Sequence, residues 1–392
     1  MDASLTLSVD DRKRSLIAVI LSCFGVGIAF GMGYPLAALT LEAWGETPLV
    51  IGIAGAAPNI AVLIVLPLLP RYLKGFSPVT IMVLGSAIAG VGYLLLYLVQ
   101  NSWAWIAVRF LMGAGLALPW LLGETWINLV ADERNRGRIV AIYSVAFFAG
   151  FAAGPVVLDI TGIAGVLPFA VGIIGAVLTI IPILWARDVA PSVRHEAATG
   201  LFRSAMLAPA PIVGVFLGGF LETAHFSLIP NVGIAAGLDE SRALALLTAL
   251  LVGGFLLQHP LGWLGDVTSR PGLLVASGLS YILLALMVPW LLTLDHSLPV
   301  LINMGLCGGA IIGLYTLGLS TLGAEIRSEQ LAAVNAAFIM SYTTGSVIGP
   351  AVAGAGMMFS PTWGFIGTTV SAALIVTTIL ALVLSPRLRQ GR

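Results

Sequence analysis

Charge is what this sequence has least of: only 9% of its 392 residues are Asp, Glu, Lys or Arg, where an ordinary soluble domain carries about 25%. Basic and acidic side chains number 18 each and cancel. The clustered positive excess that a phosphate backbone demands is missing, which excludes a nucleic-acid partner. Cysteine is almost as scarce. Cys23 and Cys307 stand nearly the whole chain apart within apolar runs, an arrangement that offers neither a disulfide framework nor a metal-binding spacing. No His-Glu-x-x-His, no Ser, His and Asp constellation and no Gly-rich phosphate loop with Lys occurs. Membrane hydrolases and ATP-driven pumps therefore lack their machinery, and the expectation is a protein that is not an enzyme and uses no cofactor or metal.

What the chain has instead is apolar length: 59% of it is hydrophobic, with a mean hydropathy of +1.04. A membrane-crossing helix needs about 20 mostly apolar residues. Windows of that size settle at 16–40, 49–69, 78–98, 103–129, 139–161, 164–185, 207–234, 241–263, 272–293, 298–323, 331–358 and 361–384. The expected fold is all-α and integral to the membrane, with twelve spans in two pseudo-symmetric six-helix bundles. The bundles are expected at 1–185 and 207–392, joined by a polar linker at 186–206. The first span follows Arg12, Lys13 and Arg14 directly and is too long for a secretory leader, so it reads as an uncleaved helix. Counting Lys and Arg in alternate loops puts sixteen on the side of the N-terminus, only Arg242 on the other, and Arg109 inside a span. Basic loops stay cytoplasmic, so both termini are expected there, in a bacterial inner membrane.

The two halves echo each other. The fifth span carries Gly150-x-x-x-Gly154-Pro155 and the eleventh carries Gly345-x-x-x-Gly349-Pro350. Small residues four apart let helix backbones approach closely in lipid, and proline bends the helix there. Gly154, Pro155, Gly349 and Pro350 are therefore expected to serve gating. A duplicated bundle with matching Gly-rich, bent helices is the layout of a secondary transporter.

A charge at the centre of a span costs at least about 2.5–3.5 kcal/mol, so each one is a candidate for function. Glu222 lies near the middle of the seventh span, and His225, three residues on, is expected to share its face. The pair reads either as a proton or substrate site or as a static hydrogen-bonded couple. Arg109 could bind an anionic group or sense a nearby acid's protonation, or it could tie a bent helix by bonding carbonyls. Trp120, Glu124 and Asn128 recur every four residues and make one polar, aromatic stripe. The stripe either presents a stacking surface and a carboxylate to a solute, or Glu124 is satisfied by Arg134, Arg136 and Arg138. His259 reads as a satisfied polar residue. Asn335 and Tyr342, seven apart, share a face of the eleventh span.

Several segments resemble the major facilitator superfamily, and the resemblance covers the whole chain. Gly262-x-Leu264-Gly265-Asp266-x-x-x-Arg270 is similar to that family's loop motif, whereas the corresponding first-half loop, from Pro70-Arg71 to Lys74-Gly75, lacks the usual Asp. Arg109-x-x-x-Gly113-x-Gly115 resembles the motif linked to proton coupling, and the Gly150 to Pro155 run resembles part of the antiporter motif. Arg134-Asn135-Arg136-Gly137-Arg138, Gln258-x-Pro260-x-Gly262 and the Ser341 to Pro350 segment are similar to the YcaD-like branch of the family. In such proteins the first, fourth, seventh and tenth spans line the central path. The resemblance therefore implies that Tyr34, Trp120, Glu222, His225, Asn303 and Tyr315 line it here. The missing Asp suggests a cytoplasmic latch with inverted sign. Arg71 and Lys74 would face Glu124, Asp132 or Glu133, while Asp266 with Arg270 and Arg327 does the same in the other half.

The expected function is alternating-access transport of a small organic solute: proton-coupled antiport, in the export direction, of a neutral or weakly charged amphipathic compound. The expected partners are that solute, protons and the lipid bilayer, with the chain a monomer. Proton, Glu222, His225 and Arg109 go together in this scheme, and Tyr34, Trp120, Glu124, Asn128, Glu222, Asn303, Tyr315 and Tyr342 are the solute contacts. A proton-driven importer of a polar metabolite and a non-transporting membrane sensor are the rival functions.

Overall fold

Residues 8–72, 75–132, 135–191 and 201–390 are described by the computed structural model, with the side chains at 66–72, 201–202, 324–325, 328–329, 332 and 386–390 outside that description. Among the described residues twelve helices are long and apolar enough to cross a membrane, as the apolar periodicity requires. The first six are α1 (Val9–Ala43), α2 (Pro48–Tyr72), α3 (Pro78–Leu98), α4 (Ser102–Val130), α5 (Arg136–Thr161) and α6 (Leu167–Trp185). A short helix, α7 (Leu201–Ala205), stands before the second six: α8 (Pro209–Ala235), α9 (Glu240–Val267), α10 (Arg270–Leu291), α11 (Leu298–Glu325), α12 (Ser328–Met357) and α13 (Pro361–Gln390).

Several helices outrun the apolar windows, and α1 shows why. The Ser8 Oγ accepts from the Asp11 backbone N–H at 3.1 Å and donates to the Asp11 carboxylate at 2.7 Å. This cap closes the first turn, and Asp10 and Asp11 complement the positive helix end. The helix thus starts before the apolar run, with Arg12 paired to Asp132 at the end of α4. Ser77, Asn101, Asp239 and Ser269 cap α3, α4, α9 and α10 in the same way, each accepting from a backbone N–H three residues on.

The chain folds as two compact units. One comprises Met1–Leu36 with Ile60–Ala197, and the other Ala37–Asn59 with Ala198–Arg392. The end of α1 and the start of α2 thus pack among the helices of the second unit.

In the first unit α5 crosses α1 backbone to backbone. A Cβ at Gly150 would meet the Phe24 carbonyl and Gly27 Cα, and one at Gly154 would meet the Gly31 backbone. In the second unit α12 crosses α8 in the same manner, with Gly345 against the Phe216 carbonyl and Phe220, and Gly349 against the Phe220 carbonyl. These four glycines are demanded by close approach, the form of helix association that remains when lipid removes the hydrophobic drive. The sequence repeat is thus a repeat in packing. Trp126, fully buried, donates its indole N–H to Ser15 Oγ at 2.8 Å and so ties α4 to α1 at the other end of the first unit.

Candidate functional site

Polar side chains on membrane helices sort into those that tie helices together and those left partly open to their surroundings. The distinction is decided by partners and exposure.

In the second unit the open group centres on Glu222, midway along α8. The Tyr342 hydroxyl on α12 donates to Glu222 Oε2 at 2.8 Å. The Tyr342 ring meets Tyr315 of α11 edge to face at 5.5 Å between centroids, and Tyr315 packs in turn on Phe338 at 5.4 Å. Glu222, Tyr315 and Tyr342 are half-buried, whereas Phe338 beneath them is fully buried. Three helices therefore bring together three residues that the sequence singled out separately. Among the described residues, no Lys, Arg or His lies within ion-pair distance of Glu222.

His225 does not join this group: it turns to other neighbours, so the hydrogen-bonded couple of Glu222 and His225, one of the two expected readings, is not formed. Three residues turn a helix by about 300°, which leaves the two side chains some 60° apart. That angle sends Glu222 toward α12 and His225 toward α10 and α13. The imidazole is 1% exposed, wedged edge-on against Tyr281 at 5.7 Å and Phe365 at 5.0 Å. Its Nδ1 lies 2.7 Å from the Leu221 carbonyl, one turn back on its own helix. Asn303 is likewise buried, with its Oδ1 facing Cys307 on α11 at 3.7 Å.

In the first unit the stripe on α4 exists as expected. Glu124 and Asn128 are exposed and Trp120 half-buried, and Asn128 Nδ2 donates to the Glu124 carbonyl at 2.8 Å. The Trp120 side chain lies beside the Glu124 carboxylate. Trp120 stacks on Phe147 of α5 at 6.1 Å with the planes 18° apart. From there the rings continue through Phe151 to Tyr34 of α1, at 6.0 and 6.3 Å. The far end of this run is Arg109, whose guanidinium carbon sits 5.3 Å from the Tyr34 ring centroid.

Arg109 belongs to the tying class. It is 2% exposed, and its Nη1 donates to the Gly33 carbonyl of α1. The Tyr93 hydroxyl donates to the Ala29 carbonyl nearby. The arginine thus binds α4 to α1 just before Pro35, which supplies no backbone N–H of its own. Tyr34 lies under it, 7% exposed.

The loop residues expected to gate divide as well. Asp266 and Arg270 pair at 2.9 Å. Asp132 is paired with Arg12 of its own unit; Glu133, the third acid expected to face Arg71 and Lys74, lies outside the described residues. Lys74 and the Arg71 side chain lie outside the described residues. Gly154 and Gly349 are the crossing points described above; Pro155 follows the first, and the Pro350 carbonyl abuts Gly52 of α2.

One polar contact escaped the sequence reading. Asn231 of α8, 2% exposed, donates from Nδ2 to Glu42 Oε2 at 2.7 Å and to the Ala38 carbonyl at 3.1 Å. It fastens the 37–59 hairpin tip to the rest of the second unit, with Gly52 and Gly55 of α2 set against Pro350 and Ser227. Glu42 ends a span and reads from sequence as an ordinary interfacial acid; only its fixed partner marks it out.

Residues 16–325 match the family model described as Major Facilitator Superfamily. Among curated proteins, the chain is 25% identical over 338 residues to the uncharacterized MFS-type transporter YfkF of Bacillus subtilis (strain 168), covering 84% of this chain and 85% of that one. It is 28% identical over 271 residues to the uncharacterized MFS-type transporter YcaD of Escherichia fergusonii, covering 68% and 69%. Among solved structures, the nucleoside transporter NupG superposes with a TM-score of 0.72 at 15% identity, over 96% of this chain and 99% of that one. A D-xylose-proton symporter does so with a TM-score of 0.71 at 15% identity, over 93% and 96%. At such identities the structural likeness speaks for the fold.

Proposed function

The chain belongs to the major facilitator superfamily, an integral membrane transporter of the secondary kind and not an enzyme, and from that premise we propose that it exchanges protons for a small amphipathic organic solute. The observation that carries this reading is Glu222. A carboxylate at the middle of a membrane helix, half-buried and answered only by a tyrosine hydroxyl among the described residues, lacks the fixed counter-charge that would make it a permanent structural ion. It is served by taking up a proton or by engaging a solute. The two occupants exclude each other, and mutual exclusion at one carboxylate is the physical basis of antiport.

The cycle runs by alternating access between the two bundles, 1–185 and 207–392, with the linker 186–206 between them. The charge asymmetry of the loops supports cytoplasmic termini and a bacterial inner-membrane location, and hence export driven by inward proton flow. With that orientation the 37–59 tip held by Asn231 lies on the outer side, and the Asp266–Arg270 pair lies on the inner side. Glu222, Tyr315 and Tyr342 are the polar surface that the second unit offers to a solute; taken by itself, the first unit offers Trp120, Glu124 and Asn128. The working form is a monomer.

A thermal-shift screen of the purified protein against amphipathic solutes, at mildly acid and at neutral pH, tests this. Binding to the native state raises the midpoint by mass action. Because proton and solute compete, the stabilisation shrinks on acidification in the wild type and loses its pH dependence in Glu222→Gln. Solutes that stabilise the wild type equally at both pH values would remove the proton from the scheme.

A further inference from the structure

The charge of the solute can be read from what the spans present. Arg109 is the basic residue that lies well inside a span rather than at its end, and its guanidinium is occupied by the Gly33 carbonyl and the Tyr34 ring, 2% exposed. An anionic solute would thus meet no available cation there. The partly open polar faces carry the opposite sign. Each unit has one carboxylate set against aromatic rings: Glu222 with Tyr342 and Tyr315 in the second, Glu124 with Trp120 and Phe147 in the first. Neither carboxylate has a basic side chain in ion-pair range among the described residues.

From this we infer that the Glu222 group, with Tyr342 and Tyr315 as its walls, is a binding site for a singly charged organic cation bearing an apolar body. The inference rests on the transport function proposed above and adds the sign of the cargo. The chemistry is specific. A carboxylate supplies the counter-charge, and the π-faces of two tyrosines attract a cation that hydrocarbon alone would reject. The Tyr342 hydroxyl donates to Oε2 and orients the carboxylate, and among the described residues no bond is made to Oε1, the atom offered to the guest. Tyr315 packs edge to face on the fully buried Phe338, which supports its ring. The rings meet edge to face and so present a shaped wall rather than a flat stack.

Two probes of the same shape and opposite charge decide the matter: tetraphenylphosphonium and tetraphenylborate. Equilibrium binding of each to the purified full chain in micelles is to be measured for wild type, Glu222→Gln and Tyr342→Phe. The expected result is saturable binding of the phosphonium and none of the borate above micelle partitioning. Glu222→Gln weakens phosphonium binding by about tenfold or more, equivalent to about 1.4 kcal/mol. Tyr342→Phe, which keeps the ring, weakens it by less than Glu222→Gln does. Thermal unfolding of each variant reports whether it is folded. Equal binding of the two probes, no phosphonium binding up to about a millimolar, or phosphonium binding indifferent to Glu222→Gln in a folded protein would each overturn the inference. If the phosphonium fails while pH-gradient-driven transport of another solute is still lost in Glu222→Gln, the cation class falls and the transport site stands.

Discussion

At the scale of single residues, the same chemical type does opposite work according to what surrounds it. Arg109 and Glu222 are both charged groups inside spans, yet one is consumed by a carbonyl and a ring while the other stays half open. Arg109→Lys is expected to destabilise the protein, because an ammonium cannot reproduce the planar guanidinium that serves carbonyl and ring together. The loss should approach the about 1.5–3 kcal/mol typical of a charged hydrogen bond, read as a lower thermal midpoint; an unchanged midpoint would mean that the tie carries no load. His225→Phe should leave proton coupling intact, since the imidazole packs as a ring between Tyr281 and Phe365. Loss of pH-driven transport in a well-folded His225→Phe would return histidine to the proton path. Sequence reasoning found Glu222, Tyr342 and Tyr315 because polar groups in apolar spans stand out. It did not join them, because a helix's rotation about its axis is set by packing across helices and leaves little trace in one strand of sequence. Phe147 and Phe151 went unnoticed for the complementary reason, since aromatic residues are ordinary in a span.

At the scale of helices, the glycine pairs carry the design. Gly154 on α5 and Gly349 on α12 each sit against the backbone of a crossing helix, and no side chain larger than hydrogen fits without separation. Gly154→Leu and Gly349→Leu should each cost about 1–3 kcal/mol or more by overpacking, seen as lower yield and polydisperse material on size exclusion. Tolerance of leucine at both positions would refute the close crossing. This repeat was legible from spacing alone, because Gly-x-x-x-Gly-Pro has a direct geometric meaning in lipid. The α1–α2 tip is a different case: its fastening depends on Asn231, 189 residues from Glu42. Asn231→Leu removes both donated bonds and should raise amide hydrogen exchange across 37–59 while α3 to α6 are unchanged. Equal protection in the variant would show that the glycine contacts at Gly52 and Gly55 suffice without it.

At the scale of the whole molecule, twelve spans, the absence of enzymatic machinery and the superfamily were available from hydropathy, loop charge and motif residues. Helix ends were less so, because caps such as Ser8 with Asp11 extend α1 beyond its apolar run into charged sequence. The central claim concerns one carboxylate and is tested most directly in proteoliposomes. An imposed pH gradient should drive uphill exchange of a stabilising solute by the wild type, and Glu222→Gln should abolish that gradient-driven accumulation while still allowing the purified variant to unfold cooperatively near the wild-type midpoint. Accumulation of the solute by Glu222→Gln at the wild-type rate would contradict the account.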